Sequence, residues 1–600
     1  MKTQLRAGFV AIVAAMTGLA TVATAAVIRG PYLQTPTAAS MIVRWRTDTS
    51  TNSRVAIGPS PGSLTTNYDS LVPVTDHVVT VTGLSPDTLY YYSVGSTAGA
   101  FVGDDTDHFF RTAPTSGSQT PFRIWSIGDA GFTGVPLDAV RDSFKAYNGG
   151  TSSTDLFLLL GDNAYVNATD VNYQAALYDE HAEMLRTTPV YSTFGNHERI
   201  SSQDMTQTGP YFDMFSFPTL GEAGGVASGT EAYYSFDYAN VHFIVLDSED
   251  FTPTSPAGPM LTWLQSDISA TTADWVIALW HRPPYTRGAL HNSDTETNEV
   301  NMRQYVLPVL ESVGVDLVLG GHSHNYERSY FIDGHYGLGN TFSNAFKKDP
   351  GDGDPSGDGA YRKTDLGTVP NAGAVYVVNG SGSEFRNATL NHPAHLVGLL
   401  ETGSMVIDVT GNTLTARFLN SGGFIHDQFQ LAKGSSCAAT PATGCGTAVR
   451  GKLSVREQAD PSRSRWSWKW KGGTIDASDL GDPTGETDVA ICVYDASGDL
   501  FGGTIFHGAA EWRSIKGGFE YRDKSLTRYG LQKIKIRGGT PSLGAFILAK
   551  AKGANIGNPA LPASLPLTAQ FVNLDNGKCW SSEFTTTKYN LNDRLLAVIP

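Results

Sequence analysis

At 600 residues the chain exceeds what one hydrophobic core organises, so it divides into several units of roughly 100–200 residues each. Its formal net charge of −15 excludes a surface built for non-specific binding of nucleic acid or anionic membrane, which needs clustered Lys and Arg.

Lys2 and Arg6 precede an apolar stretch from about Ala7 to Ala20, and Ala23-Thr24-Ala25-Ala26 has the small-residue character of a cleavage site. Residues 1–26 read as a secretory signal peptide. No later run approaches the roughly 20 apolar residues of a membrane span. The expected mature protein is secreted or periplasmic, with no membrane span after cleavage.

Residues 27–114 read as all-β. Met41-Ile42-Val43-Arg44-Trp45 and Val78-Val79-Thr80-Val81-Thr82 are short apolar strands. Leu84-Ser85-Pro86-Asp87-Thr88-Leu89-Tyr90-Tyr91-Tyr92 resembles the fibronectin type III pattern, in which a tyrosine anchors a strand corner. Thr115-Ser116-Gly117-Ser118-Gln119 is a linker.

Between residues 120 and 432 the pattern becomes strand, motif, helix. Strands are expected at Arg123–Ile127, Asp155–Leu160, Val190–Phe194, Trp275–Leu279 and Asp316–Leu319, with helices over Tyr173–Arg186 and Val300–Val313. Ala232–Asp237 and Val241–Leu246 form a hairpin around Tyr238-Ala239-Asn240. Continuous apolar strands alternating with helices predict an α/β unit with a sheet buried on both faces. Val375–Val378 and Met405–Leu419 are expected in a second sheet packed on the first. Lys347–Gly359, rich in Asp and Gly, fits no calcium-loop register and reads as a mobile surface insertion.

Residues 433–448 are a small-residue linker, and 449–600 an all-β module. Trp466, Trp468 and Trp470 alternate with polar residues, as on a strand with one aromatic face. That row is expected to face a core, with carbohydrate binding as the alternative. The module is also a candidate for cell-surface contact. Cys437, Cys445, Cys492 and Cys579 allow three pairings in an oxidising compartment, of which Cys437–Cys445 with Cys492–Cys579 is favoured.

Five motifs follow the central strands: Gly128-Asp129-Ala130-Gly131, Gly161-Asp162-Asn163-Ala164-Tyr165, Gly195-Asn196-His197-Glu198, Trp280-His281-Arg282-Pro283-Pro284 and Gly321-His322-Ser323-His324. They offer oxygen and imidazole donors and no thiol, a set suited to Fe, Zn or Mn. Their number suits two ions about 3.5–4 Å apart, the spacing of phosphoryl-oxygen chemistry. A His-x-His or a Gly-Asp alone is weak; the ordered set is strong.

The set resembles the calcineurin-like metallophosphoesterases. Tyr165, with Gly-Asn-His-Glu and Gly-His-Ser-His-Asn-Tyr-Glu-Arg, narrows the likeness to the purple acid phosphatases. The resemblance implies two β-sheets sandwiched between helices, and a dinuclear centre of Fe(III) with Zn(II), Mn(II) or Fe(II). Asp129, Tyr165 and His324 would hold the first metal, Asn196, His281 and His322 the second, with Asp162 bridging. It also implies hydrolysis of small-molecule phosphate monoesters by a metal-bound hydroxide, with His197 protonating the leaving group and Glu198 or another carboxylate behind it. Where many relatives carry paired histidines, this chain has His291 alone, assigned to substrate binding, with Arg282 and Arg287 as alternative phosphate contacts. A phosphodiesterase or nucleotide hydrolase on the same metals, or a surface-binding protein with secondary catalysis, are the competing readings.

Overall fold

The computed structural model describes residues 25–600 apart from 151–152, 251–254, 357–359, 364–366, 434–436, 438–439, 459–462, 486, 497, 506–510, 525, 527–529, 541–543, 554–555 and 557–560. The leader read into the N-terminus therefore lies almost wholly outside the described residues. Among those residues, no helix is long and apolar enough to cross a membrane.

Residues 27–111 form a six-stranded antiparallel sheet system built on the long strand Ser40–Gly58, which pairs with Val27–Gln34, Thr66–Thr82 and Leu89–Ser96. Alternation along that strand turns Met41, Val43 and Trp45 into one core with Val81 and Tyr92. Tyr90 Oη accepts a hydrogen bond from the Ser85 amide at 3.0 Å, closing the corner five residues upstream. The unit is tied to the central one by polar contacts as well as packing. Tyr32 Oη donates to the Met214 carbonyl (2.9 Å), Arg44 Nη1 to that of Phe215 (2.6 Å), and Tyr92 Oη to that of Arg186 (2.8 Å).

The central unit has two seven-stranded sheets. The motif strands do not share one sheet, as the continuous apolar runs had implied. Phe122–Ile127, Leu156–Leu159 and Val190–Ser192 lie parallel in the first, and Trp275–Leu279 and Leu317–Gly320 lie parallel in the second. The later strands divide too. Val375–Asn379 extends the second sheet beside Leu317–Gly320, and Gly403–Thr410 runs antiparallel to Phe122–Ile127 in the first. The motif strands are buried almost along their whole length in either sheet, so their periodicity carries no information on which sheet each joins.

Helices cover the outside. Val135–Asn148 and Pro259–Ala270 bury Leu137, Val140 and Phe144, and Met260, Leu261, Leu264 and Ile268. The helices expected at Tyr173 and Val300 start earlier, at Asp170 and Thr297, and each passes through a π turn, Gln174–Asp179 and Met302–Val306. In the Asp-rich insertion, Asp349, Asp352 and Asp354 accept amide hydrogen bonds from two residues on, each at 2.8 Å. Those carboxylates close turns.

Buried His242 clasps the hairpin to the Pro259–Ala270 helix. Its Nδ1 lies 2.7 Å from Asp237 Oδ1 and its Nε2 2.9 Å from Asp267 Oδ2. Burial alone would lower its pKa, but the two carboxylates hold it up at about 9, against 6.5 unperturbed. A raised histidine stabilises the fold fully below pH 6.5, and that stability is lost as pH rises through 9. The upper bound is about 3 kcal/mol. Thermal midpoints should therefore fall across this window, and His242→Gln should flatten the fall while lowering the midpoint at pH 6. Parallel curves for the two proteins would contradict this.

The C-terminal residues form a five-stranded and an eight-stranded sheet around a separate core. Trp466, Trp468 and Trp470 are 3%, 0% and 0% exposed, so the row faces inward and offers no carbohydrate platform. The cysteine pairing differs from the favoured one: Cys437 bonds Cys492 and Cys445 bonds Cys579. The reason is register. Gly446 pairs in parallel with Trp580, which sets the preceding residues, Cys445 and Cys579, side by side. Both bonds therefore staple the linker to the module, a constraint that sequence proximity does not reveal.

Candidate metal centre

All five motifs follow the carboxyl ends of parallel strands, and the two sheets bring those ends to one cleft, the usual ligand position in open α/β folds. The backbone there is unusual. Asp129, Asp162 and His322 take left-handed conformations, with φ 54°, 54° and 66°. Such residues cost of order 1–3 kcal/mol each and gather at functional sites. Glycines make the room. A Cβ on Gly161, itself at φ 84°, would lie 2.6 Å from His281 Nδ1, and one on Gly321 would lie 2.5 Å from Asp129 Oδ2.

The donors form two adjoining groups. Tyr165 Oη lies 3.0 Å from Asp129 Oδ1, 3.2 Å from Asp162 Oδ2 and 3.0 Å from His324 Nε2. His281 Nε2 lies 3.1 Å from Asn196 Oδ1 and 3.4 Å from Asp162 Oδ1. Asp162 thus gives one oxygen to each group. His322 joins the second: a ring nitrogen of His322, one of His281 and an Asp162 oxygen all lie within 4.8 Å of one another. The side chains singled out as ligands in the sequence therefore converge.

Outer partners orient them. His281 Nδ1 engages the Leu160 carbonyl at 2.8 Å and His324 Nδ1 engages Glu384 Oε1 at 2.6 Å, so both rings turn Nε2 inward. Buried Glu198 accepts the amides of Asp162 (2.8 Å), Asn163 (2.8 Å) and Gly195 (3.0 Å) and the Tyr173 hydroxyl (3.0 Å). It ties the second and third motif loops together, and so is not the partner of His197. That ring turns Nδ1 to the Val166 carbonyl at 2.5 Å, while its own amide donates to Asp162 Oδ1 at 2.9 Å. Its Nε2 faces the cleft 3.8 Å from Asp162 Oδ2, with the side chain 27% exposed.

Arg282 and Arg287 are not free to meet a phosphate. Arg282 Nε is 2.9 Å from both Glu249 oxygens and its Nη1 is 3.0 Å from Glu296, while Arg287 pairs with Asp294 at 2.9 Å. His291 packs against His322 with ring centroids 3.7 Å apart and the planes tilted by 40°, and turns Nδ1 to Glu296 at 2.9 Å.

The electrostatics fit cations. Burial would lower the pKa of His281, yet Asp162 raises it to about 10. Burial, then Asp129 and Asp162, push the Tyr165 phenol well above its usual range. Two buried carboxylates are thus holding protons on the groups around them, and cations would take the place of those protons. The donor set fits hard or borderline metals: three imidazoles, two carboxylates, an amide oxygen and a phenol.

Glu296 and Glu384 were not legible as site residues. Glu384 had a signal. It lies in Gly380-Ser381-Gly382-Ser383-Glu384, just after the apolar strand Val375–Asn379, the same strand-then-glycine arrangement as the motifs. There Ser383 Oγ donates to the Asp129 carbonyl at 2.5 Å.

Residues 122–326 match the calcineurin-like phosphoesterase family model, and 31–112 that of the purple acid phosphatase N-terminal domain. Purple acid phosphatase 15 of Arabidopsis thaliana is 30% identical over 293 residues, covering 44% of this chain and 51% of that protein. Purple acid phosphatase 1 of Ipomoea batatas is 28% identical over 298 residues, covering 48% and 59%. The chain thus spans little more than half the length of these curated relatives. A purple acid phosphatase from yellow lupin (Lupinus luteus) seeds shares the fold, with a TM-score of 0.50 at 18% identity over 68% of this chain and 74% of that one. Residues 31–112 thus resemble the purple acid phosphatase N-terminal domain and residues 122–326, which carry the motifs, the calcineurin-like phosphoesterases, in the same order as in the purple acid phosphatases.

Proposed function

We propose that the protein is an exported hydrolase of small-molecule phosphate monoesters that works with two metal ions. The observation that carries this reading is the division of Asp162, one oxygen turned to Tyr165 and the other to His281. Asp129, Tyr165 and His324 would hold the first ion, expected as Fe(III), and Asn196, His281 and His322 the second, expected as Zn(II), Mn(II) or Fe(II). When bound, the ions supply Lewis-acid activation of water and neutralise charge on the phosphoryl oxygens.

The chain's own part is positioning and proton transfer. With Nδ1 on the Val166 carbonyl, His197 keeps Nε2 towards the cleft mouth, where it gives a proton to the departing alkoxide. With Nδ1 on Glu296, His291 keeps Nε2 for the substrate. The two disulfides support export, since such bonds persist in oxidising compartments. We read 27–114 as a fibronectin type III-like unit, 120–432 as catalytic and 449–600 as an accessory module behind the 433–448 linker.

Elemental analysis with a visible spectrum tests the metal assignment. Two metals per chain and a visible band lost in Tyr165→Phe are expected, because phenolate bound to Fe(III) is the coloured group. A colourless, iron-free protein would overturn it. Turnover of an aryl monoester against the matching diester tests the substrate class; preference for the diester would overturn the monoester reading.

A further inference from the structure

The structure assigns Glu296 as a positioning residue that fixes which nitrogen of His322 serves the second metal. This rests on the two-metal reading above. Among the histidines of the centre, His322 is oriented differently from its neighbours. His281 and His324 engage outer partners through Nδ1 and turn Nε2 inward, whereas His322 engages Glu296 Oε2 through Nε2, at 3.3 Å. A carboxylate accepts, so the Nε2 carries the proton and Nδ1 keeps the lone pair that a metal requires. His322 also sits in the left-handed backbone region, at φ 66°.

Glu296 is itself held from three sides. Arg282 Nη1 lies 3.0 Å from its Oε2, His291 Nδ1 lies 2.9 Å from its Oε1, and the Asn292 amide donates to Oε1 at 3.2 Å. Arg282 is anchored in turn by buried Glu249, its Nε 2.9 Å from each oxygen. Arg282 Nη1 also stands 2.9 Å from His322 Nε2. A guanidinium only donates, so Arg282 and Glu296 compete for this nitrogen, the first favouring its lone pair and the second its proton. Remove the carboxylate, and the guanidinium is left facing Nε2 as a donor. The ring proton would then move to Nδ1, where it blocks the metal. Glu249, Arg282 and Glu296 thus form a chain of alternating charge whose end sets a tautomer.

The test is metal affinity, read by chelator competition with Zn(II) and by metal content after dialysis. Wild type should hold two ions. Glu296→Ala should weaken the second about 10–100-fold, the usual cost of losing an outer-shell partner, and leave the first in place. Glu296→Gln, whose amide oxygen still accepts from Nε2, should stay within a few-fold of wild type. Glu296→Asp, a smaller disturbance to the fold, should fall between them. Equal losses in Ala and Gln, or second-site affinity unchanged in Ala, would overturn the assignment. Wild type holding fewer than two ions would instead overturn the two-metal reading on which it rests.

Discussion

Asp162→Asn is expected to reduce kcat/KM by on the order of 10³-fold or more and to lower the metal content. The substitution keeps the shape of the side chain and removes its charge. Asp162 turns one oxygen to each half of the site, 3.2 Å from Tyr165 and 3.4 Å from His281. It also accepts the His197 amide at 2.9 Å, so it orients the proposed acid. An asparagine gives one neutral oxygen and one donor. One half of the site must then face an N–H where it needs a lone pair. Stabilisation of phosphoryl charge by a metal is worth several kcal/mol, and each 1.4 kcal/mol is a factor of ten. Steady-state kinetics and elemental analysis on the same sample check this. Two retained metals with activity within tenfold of wild type would show that Asp162 is not shared.

His197→Ala should separate substrates by leaving group. With alkyl phosphates the loss should be about 10²–10⁴-fold, the range for a positioned general acid. With an aryl phosphate the departing phenolate needs little protonation, so the loss should be much smaller. The structure favours this split because His197 does not carry the metal cage. Its Nδ1 is occupied by the Val166 carbonyl, and its Nε2 is 3.8 Å from Asp162 and partly exposed. Metal content should therefore survive the substitution. A uniform loss across both substrates, or loss of metal, would assign His197 to the cage instead.

Much of the site is legible in the sequence. The ligand residues could be named because each follows a glycine or an apolar strand in a short motif. The helix Val135–Asn148 carries a signal of the same local kind, since Leu137, Val140 and Phe144 recur at helical spacing. The sheet membership of the motif strands was not legible. A strand apolar on both faces fits either sheet, and only long-range pairing such as Val406 with Trp125 decides.

By itself, then, the order of residues determined the chemistry on offer: which oxygens and imidazoles, after which strands, beside which glycines. Local sequence suffices for that because strand, turn and motif are contiguous. Tertiary structure alone decided how that chemistry is oriented. The partners that set the histidine tautomers, Leu160, Glu384 and Glu296, lie 121, 60 and 26 positions from the rings they hold. Those contacts, like the register that joins Cys445 to Cys579, exist only once distant strands are packed, and no local pattern records them.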